Sequence, residues 1–176
     1  IRLRWRRVFM EVKFYQQLLA ANKQTPVLGY EVLRDLLIPE LTGDNKTILY
    51  WAGKRLAREI FLDQGKDLTL FFEKAGWGTL TEVKSKKNQQ VFELSGEIIK
   101  LRQQNVKQAD FLLEAGFLAE TLQNQNHCIT EAVIKDSDSR NGKVSFLVQQ
   151  DTNETIDKTA LPDKPPLRLT TPEEQK

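Results

Sequence analysis

Apolar positions recur at intervals of three and four through the first third of the chain and at intervals of two further on. After the break Gln24-Thr25-Pro26, the residues Val27, Leu28, Val32, Leu33, Leu36 and Leu37 trace one face of a helix, which the pattern ends near Pro39. Thr42-Gly43-Asp44-Asn45 is a loop dense in turn formers. From Thr47 to Leu62, Ile48, Ala52, Leu56 and Ile60 recur at intervals of four, which predicts a helix buried along that stripe. Gly53 inside it costs about 1 kcal/mol relative to alanine, so close approach of another backbone is expected there. Asp67 reads as the cap of a third helix over Leu68 to Ala75, with Gly76 as its left-handed stop.

The pattern then changes. Gly78 to Val83 and Gln90 to Ile99 read as strands joined through Ser85-Lys86-Lys87-Asn88. A polar stretch, Arg102 to Gln108, leads to Asp110, a second cap, and to a helix carrying Phe111, Leu112, Ala115, Leu118, Ala119 and Leu122. Cys128 to Ile134 and Lys143 to Val148 form another hairpin, turned by Asn141-Gly142. The order ααα-ββ-α-ββ predicts an α+β fold, with helices packed on one antiparallel sheet of about four strands. Residues 151–176 hold four of the six prolines and almost no periodicity, so one domain over 26–150 is expected. It would lie between an N-terminal segment, 1–25, that is partly disordered, and a flexible tail, 151–176.

Composition narrows the class. A chain of 176 residues, 40% hydrophobic and 28% charged, is that of a globular domain large enough for a core without cross-links. Cys128, the lone cysteine, cannot bridge its own chain, which fits a reducing cytoplasmic setting. No apolar run approaches the roughly 20 residues that span a bilayer. Arg2, Arg4, Arg6 and Arg7 precede the single methionine, Met10; a translation start at Met10 is the simpler explanation and a basic amphipathic anchor the alternative. The net charge of +2 becomes −2 once those four arginines are set aside, so the folded part has no positive footprint for nucleic acid.

Candidate chemistry is sparse. His127 and Cys128 are neighbours that a strand would send to opposite faces, which suits neither a nucleophile with its base nor a zinc site. Neither a P-loop nor a dinucleotide fingerprint is present. The carboxylates are scattered; Glu114 and Glu120 flank the apolar stripe of their helix, but the chain reads as a non-enzyme without cofactor or metal. Large aromatics beside small residues can wall an apolar cavity, so Trp51, Phe71, Phe72, Trp77, Phe111 and Phe117 are candidate ligand-binding residues, with ordinary core packing as the alternative. Arg55, with Lys54 and Arg58, either contacts an anion at the mouth of that region or forms a solvated face. Ala52, Gly53 and Ala57 mark a candidate dimer or helix-packing surface.

Three segments are distinctive: Tyr30-Glu31-Val32-Leu33-Arg34-Asp35-Leu36-Leu37-Ile38-Pro39, Ile48-Leu49-Tyr50-Trp51-Ala52-Gly53-Lys54-Arg55-Leu56-Ala57-Arg58 and Phe71-Phe72-Glu73-Lys74-Ala75-Gly76-Trp77-Gly78. With Phe92-Glu93-Leu94-Ser95-Gly96 and Leu113-Glu114-Ala115-Gly116-Phe117-Leu118-Ala119, they make the chain resemble the YslB family over roughly residues 26 to 150. These are small bacterial proteins of unknown function. The resemblance implies a fold like that of TRAPP vesicle-tethering subunits and 4-vinyl-reductase-type domains, which often dimerise through helices and whose members enclose acyl chains or small hydrophobic ligands. The lipid-bearing cysteine of the tethering subunits and the axial histidine of haem-binding relatives both lie on helices; Cys128 and His127 follow the last helix and match neither. The expectation is a non-enzymatic homodimer enclosing a small hydrophobic or amphipathic ligand. The alternative is a scaffold or adaptor acting through protein contacts alone.

Overall fold

The computed structural model describes residues 16, 27–43, 45–106, 109–157 and 161–169. The basic leader, Met10, and residues 158–160 and 170–176 of the expected tail lie outside the described residues. A helical rod opens the described domain: α1, Val27–Glu31, a wider π-helical segment, Val32–Leu37, and α2, Ile38–Thr42. The rod runs past Pro39, where the pattern placed its end. The Ile38 N–H already reaches back five residues to the Leu33 carbonyl, and Pro39 sits in the first turn of α2, where its missing N–H leaves no bond unmade. Gly43, at φ 60°, terminates it.

Helices α3, Thr47–Glu59, and α4, Gly65–Lys74, precede the hairpin β1, Thr79–Lys86, and β2, Gln89–Ser95. Helices α5, Glu97–Asn105, and α6, Leu112–Asn126, lead to the hairpin β3, Cys128–Asp138, and β4, Lys143–Thr155. The fold is thus α+β with one antiparallel sheet, ordered β1-β2-β4-β3, and the expected sequence of elements holds with α5 added. The expected strand Gln90 to Ile99 stops at Ser95 because Gly96, at φ 138°, turns the chain; the β-branched Ile98 and Ile99 belong to α5.

Strand alternation sends Leu80, Phe92, Leu94, Val144, Phe146 and Val148 to one face, with Phe92 opposite Phe146 and Leu94 opposite Val144. Helix α6 lies on that face, and α3 crosses α6 from outside. Covered on both sides, α6 buries residues from Glu114 through Leu122 without a polar stripe. It ends where His127, expected in a strand, turns left-handed at φ 56°. The stripe that α3 buries is rotated by one residue from the expected one: Leu49, Gly53 and Ala57 face inward, while Ile48 and Ala52 are exposed. Gly53 determines this. A Cβ there would overlap the Leu113 carbonyl oxygen and stand 2.8 Å from the Phe117 amide nitrogen, and a Cβ on Gly116 would overlap the Tyr50 carbonyl oxygen.

The boundary expected at residue 150 falls inside β4, which continues to Thr155, and residues 161–169 pack on the domain. Leu167 is buried, with its N–H 2.7 Å from the Phe61 carbonyl; the Leu169 N–H meets the Asp67 carboxylate at 2.9 Å. Asp67 therefore ties down this strap, whereas the sequence suggested a cap; α4 begins two residues earlier, at Gly65. Lys164 pairs with Glu59 at 2.8 Å, and Arg168 with Asp63. Leu167→Ala should lower stability by about 2–3 kcal/mol in urea unfolding.

Candidate functional site

The candidate aromatics do not stand together around an opening. Phe71 stacks on Phe117 at 4.7 Å between centroids, and Trp77 meets Phe71, Phe72 and Phe117 edge-on at 5.6, 5.2 and 5.4 Å. These four rings fill one another's space and join the main core. Phe111 belongs to the same core and lies beneath the Arg102 guanidinium, its ring centre 4.7 Å from the guanidinium carbon. Trp51 is 64% exposed, touches Tyr50 edge-on, and stands on the outer side of α3 with Arg55. Of the candidate packing residues, Gly53 and Ala57 contribute to contacts within the chain and Ala52 faces outward.

The expected anion contact is also changed. Lys54 is buried, 2.8 Å from Glu131 and 3.9 Å from Glu120, and Arg58 donates to Glu120. Tyr50 donates to Glu131 and accepts the Ala132 N–H. These cations are committed to carboxylates of the chain itself.

A different site lies at the other end of α6, and it begins with an inverted helix. The rod 27–42 turns its polar side inward: Arg34 is 3% exposed. Its apolar side faces out, with Leu28 77% and Leu41 76% exposed. Beneath it, Arg34 donates to Glu114 at 2.8 Å and to the Asp110 carbonyl at 3.3 Å. Arg102, from α5, forks onto Asp35 at 3.0 and 2.9 Å and reaches Glu114 at 3.5 Å and the Asp110 carbonyl at 3.1 Å. Glu31 lies 3.5 Å from Arg102 through one oxygen, and its other oxygen, Oε1, has no hydrogen-bond partner and is closed to water. The Asp110 carboxylate stands 3.7 Å from Arg34, so two guanidiniums meet four carboxylates.

Between the rod and α5 runs a groove of about 450 Å³, with Leu28, Val32, Leu36, Ile98, Leu101 and Val106 as its apolar walls. Glu31, Asp35 and Arg102 bring the ionic cluster into it. An opening of this size, apolar with a few convergent polar groups, has the make-up of a small-molecule site. A second hollow, about 500 Å³, lies on the outer face of β3 and β4, where Asn88, Gln149, Gln150, Asp151 and Asn153 make it polar.

Electrostatics distinguish the cluster's members. Burial, then a hydrogen bond shared with Asp35, pushes the Glu31 carboxyl up to about 7. Burial pushes Asp35 the same way, but the hydrogen bonds from Arg102 and Glu31 outweigh it and hold Asp35 below its ordinary value. The Tyr30 hydroxyl is raised by burial and by Glu114. Between the ordinary 4.5 of a free glutamate and about 7, the folded chain keeps the Glu31 proton and the unfolded chain has lost it. Stability from this group is complete below that window and declines as pH rises through it. Urea unfolding of the wild type should show that decline between pH 5 and 7.5, and Glu31→Gln should flatten it; equal slopes would contradict the assignment.

Sequence reasoning missed this site. Arg34 and Asp35 stood on a helix read for its leucines, and Arg102 in a stretch read as polar. The available sign was Glu114 and Glu120 inside an otherwise apolar helix, which requires buried cations opposite. Among the described residues no group of three metal-ligating side chains occurs, and no helix is long and apolar enough to cross a membrane.

The fold is similar to that of a vinyl-4-reductase family protein from Methanocaldococcus jannaschii, with TM-score 0.60 and 19% identity over 80% of this chain and 90% of that one. A TRAPP complex subunit 3 from Naegleria fowleri, solved covalently bound to palmitic acid, aligns at TM-score 0.42 and 11% identity over 84% of this chain and 98% of that one. In sequence, the uncharacterized protein YslB of Bacillus subtilis (strain 168) is 41% identical over 129 residues, 73% of this chain and 86% of that protein. Residues 27–149 match the family described as protein of unknown function (DUF2507), and the chain belongs to that family.

Proposed function

We propose that the protein is a non-enzymatic cytoplasmic binding module, a homodimer whose groove between the rod 27–42 and α5 holds a small hydrophobic or amphipathic ligand. The observation that supports this is the groove itself: its apolar walls lie over a buried ionic cluster, so a ligand would find apolar contact along its length and polar partners at one place. Native mass spectrometry of protein purified from its own host tests it. A bound mass that is lost in Leu36→Asp and Leu101→Asp variants is expected, and an empty chain under the same conditions would remove the reading.

The second reading, a scaffold acting through protein contacts alone, draws on Leu33, Leu37 and Leu41, which are exposed on the rod and do not line the groove. An uncharged apolar row suits an isologous contact with a second copy, in which each rod covers the other. Leu37→Asp should then give monomers in sedimentation while leaving a groove ligand in place. Loss of the dimer with no ligand in either form would favour the scaffold.

A further inference from the structure

The groove's polar atoms restrict its occupant beyond apolarity, a selectivity that rests on the groove being a ligand site. Arg102 turns each of its three nitrogens to acceptors of the chain itself. Both nitrogens of its fork face Asp35, Nη2 also meets the Asp110 carbonyl, and Nη1 points to Glu114. Arg34 is held through Nη2 by Glu114 and the Asp110 carbonyl, and its Nε and Nη1, which have no hydrogen-bond partner, lie deeper in, outside the groove lining. Beside them Glu31 lines the groove; its carboxyl meets the Arg102 cation only at 3.5 Å, shares a hydrogen bond with Asp35 and carries one buried oxygen with no hydrogen-bond partner. Its terminal torsion is broad, so a rotation presents that oxygen to the groove at little cost.

We infer that the groove selects an amphiphile with an alkyl tail and a cationic, hydrogen-bond-donating head, an alkylammonium type of ligand, and rejects fatty carboxylates. A carboxylate head would bring a third acceptor against Glu31 and Asp35, in a cluster where four carboxylates outnumber two guanidiniums. An ammonium head supplies the missing donors and offsets the excess negative charge.

The groups facing Glu31 are Tyr30, Arg34 and Asp35 on its own rod, Arg102 on α5, and Glu114 with Asp110 at the start of α6. With its carboxyl pushed up to about 7, Glu31 is partly protonated at neutral pH. An ammonium head favours the ionised form, so its uptake strengthens as pH rises through 7 and releases most of a proton at pH 6 but little at pH 8.

The test is calorimetric titration of the full chain with decylamine, decanol and decanoate below their micellar concentrations, at pH 8 and pH 6. Decylamine should bind about tenfold or more tighter than decanoate at pH 8. Decanol should fall between them, and decylamine should weaken at pH 6. Repeating the titration in buffers of different ionisation enthalpy should reveal the released proton without any mutation. Glu31→Gln should bring decylamine close to decanol in affinity and remove its dependence on pH. Decanoate binding as tightly as decylamine at pH 8, or decylamine indifferent to pH and to Glu31→Gln, would overturn the inference while leaving a ligand site. No binding of any of the three would remove the groove as a ligand site, and the inference with it.

Discussion

Gly53→Ala is expected to cost more than about 3 kcal/mol or to prevent folding, and Gly116→Ala to do the same. A methyl group is small, but each would meet backbone: the Leu113 carbonyl for Gly53, the Tyr50 carbonyl for Gly116. Flexible side chains can swing aside, whereas a helical carbonyl moves only with its helix. Helices α3 and α6 would have to separate, and Phe117, fully buried next to that crossing, would lose its packing against Phe71 and Trp77. Gly65→Ala provides the contrast, because nothing stands within 4 Å of a Cβ there, and it should be neutral or slightly stabilising. Thermal melts by circular dichroism compare the three. A Gly53→Ala protein melting alongside the wild type would mean that the crossing is looser than described. Gly53 variants therefore report on the fold and cannot be used to probe a dimer.

Glu114→Gln should be nearly as damaging, at about 3–5 kcal/mol, because it leaves two buried guanidiniums around an amide. Glu114 is 1% exposed and receives Arg34 at 2.8 Å and Arg102 at 3.5 Å. The loss should be local in character. The rod 27–42 is tied to the body through this cluster, so its amides should exchange with deuterium much faster in the variant while those of β2 and β4 change little. The double variant Arg34→Met, Glu114→Leu should recover part of the lost stability, since an apolar pair of similar volume replaces an ion pair without leaving a charge alone. Unchanged exchange over the rod would show that other contacts hold it.

The fold class and the order of elements were legible because they rest on periodicity and turn chemistry, which are local. Gly76 and Gly142, both at positive φ, stop a helix and turn a hairpin where the sequence placed those events. Gly53 was legible as a close approach, though its partner, the backbone of α6, was not. What local pattern conceals is which way a face points. The leucines of the rod trace one helix face and are exposed, because the competing Arg34, Glu31 and Asp35 find charged partners on α5 and α6, more than 60 residues away in sequence. Charged residues at helical spacing look the same on paper whether water or a guanidinium waits opposite. For the same reason Trp51 looked like a wall of a cavity and is a surface ring, while Phe71, Phe72, Trp77 and Phe117 turned to one another. Helix α5 was hidden by two adjacent isoleucines, Ile98 and Ile99, whose β-branched side chains suit a strand.

The strap at 161–169 bears on how the chain is made. Its ion pairs join residues 105 apart, Lys164 with Glu59 and Arg168 with Asp63, so they form only after the strap itself has left the ribosome, more than a hundred residues behind its partners. Helices α3 and α4 must wait through synthesis of the whole sheet before the seam between them is closed at Phe61. A nascent chain halted before Leu167 would carry an unsealed core, exposed to proteases and to other emerging chains.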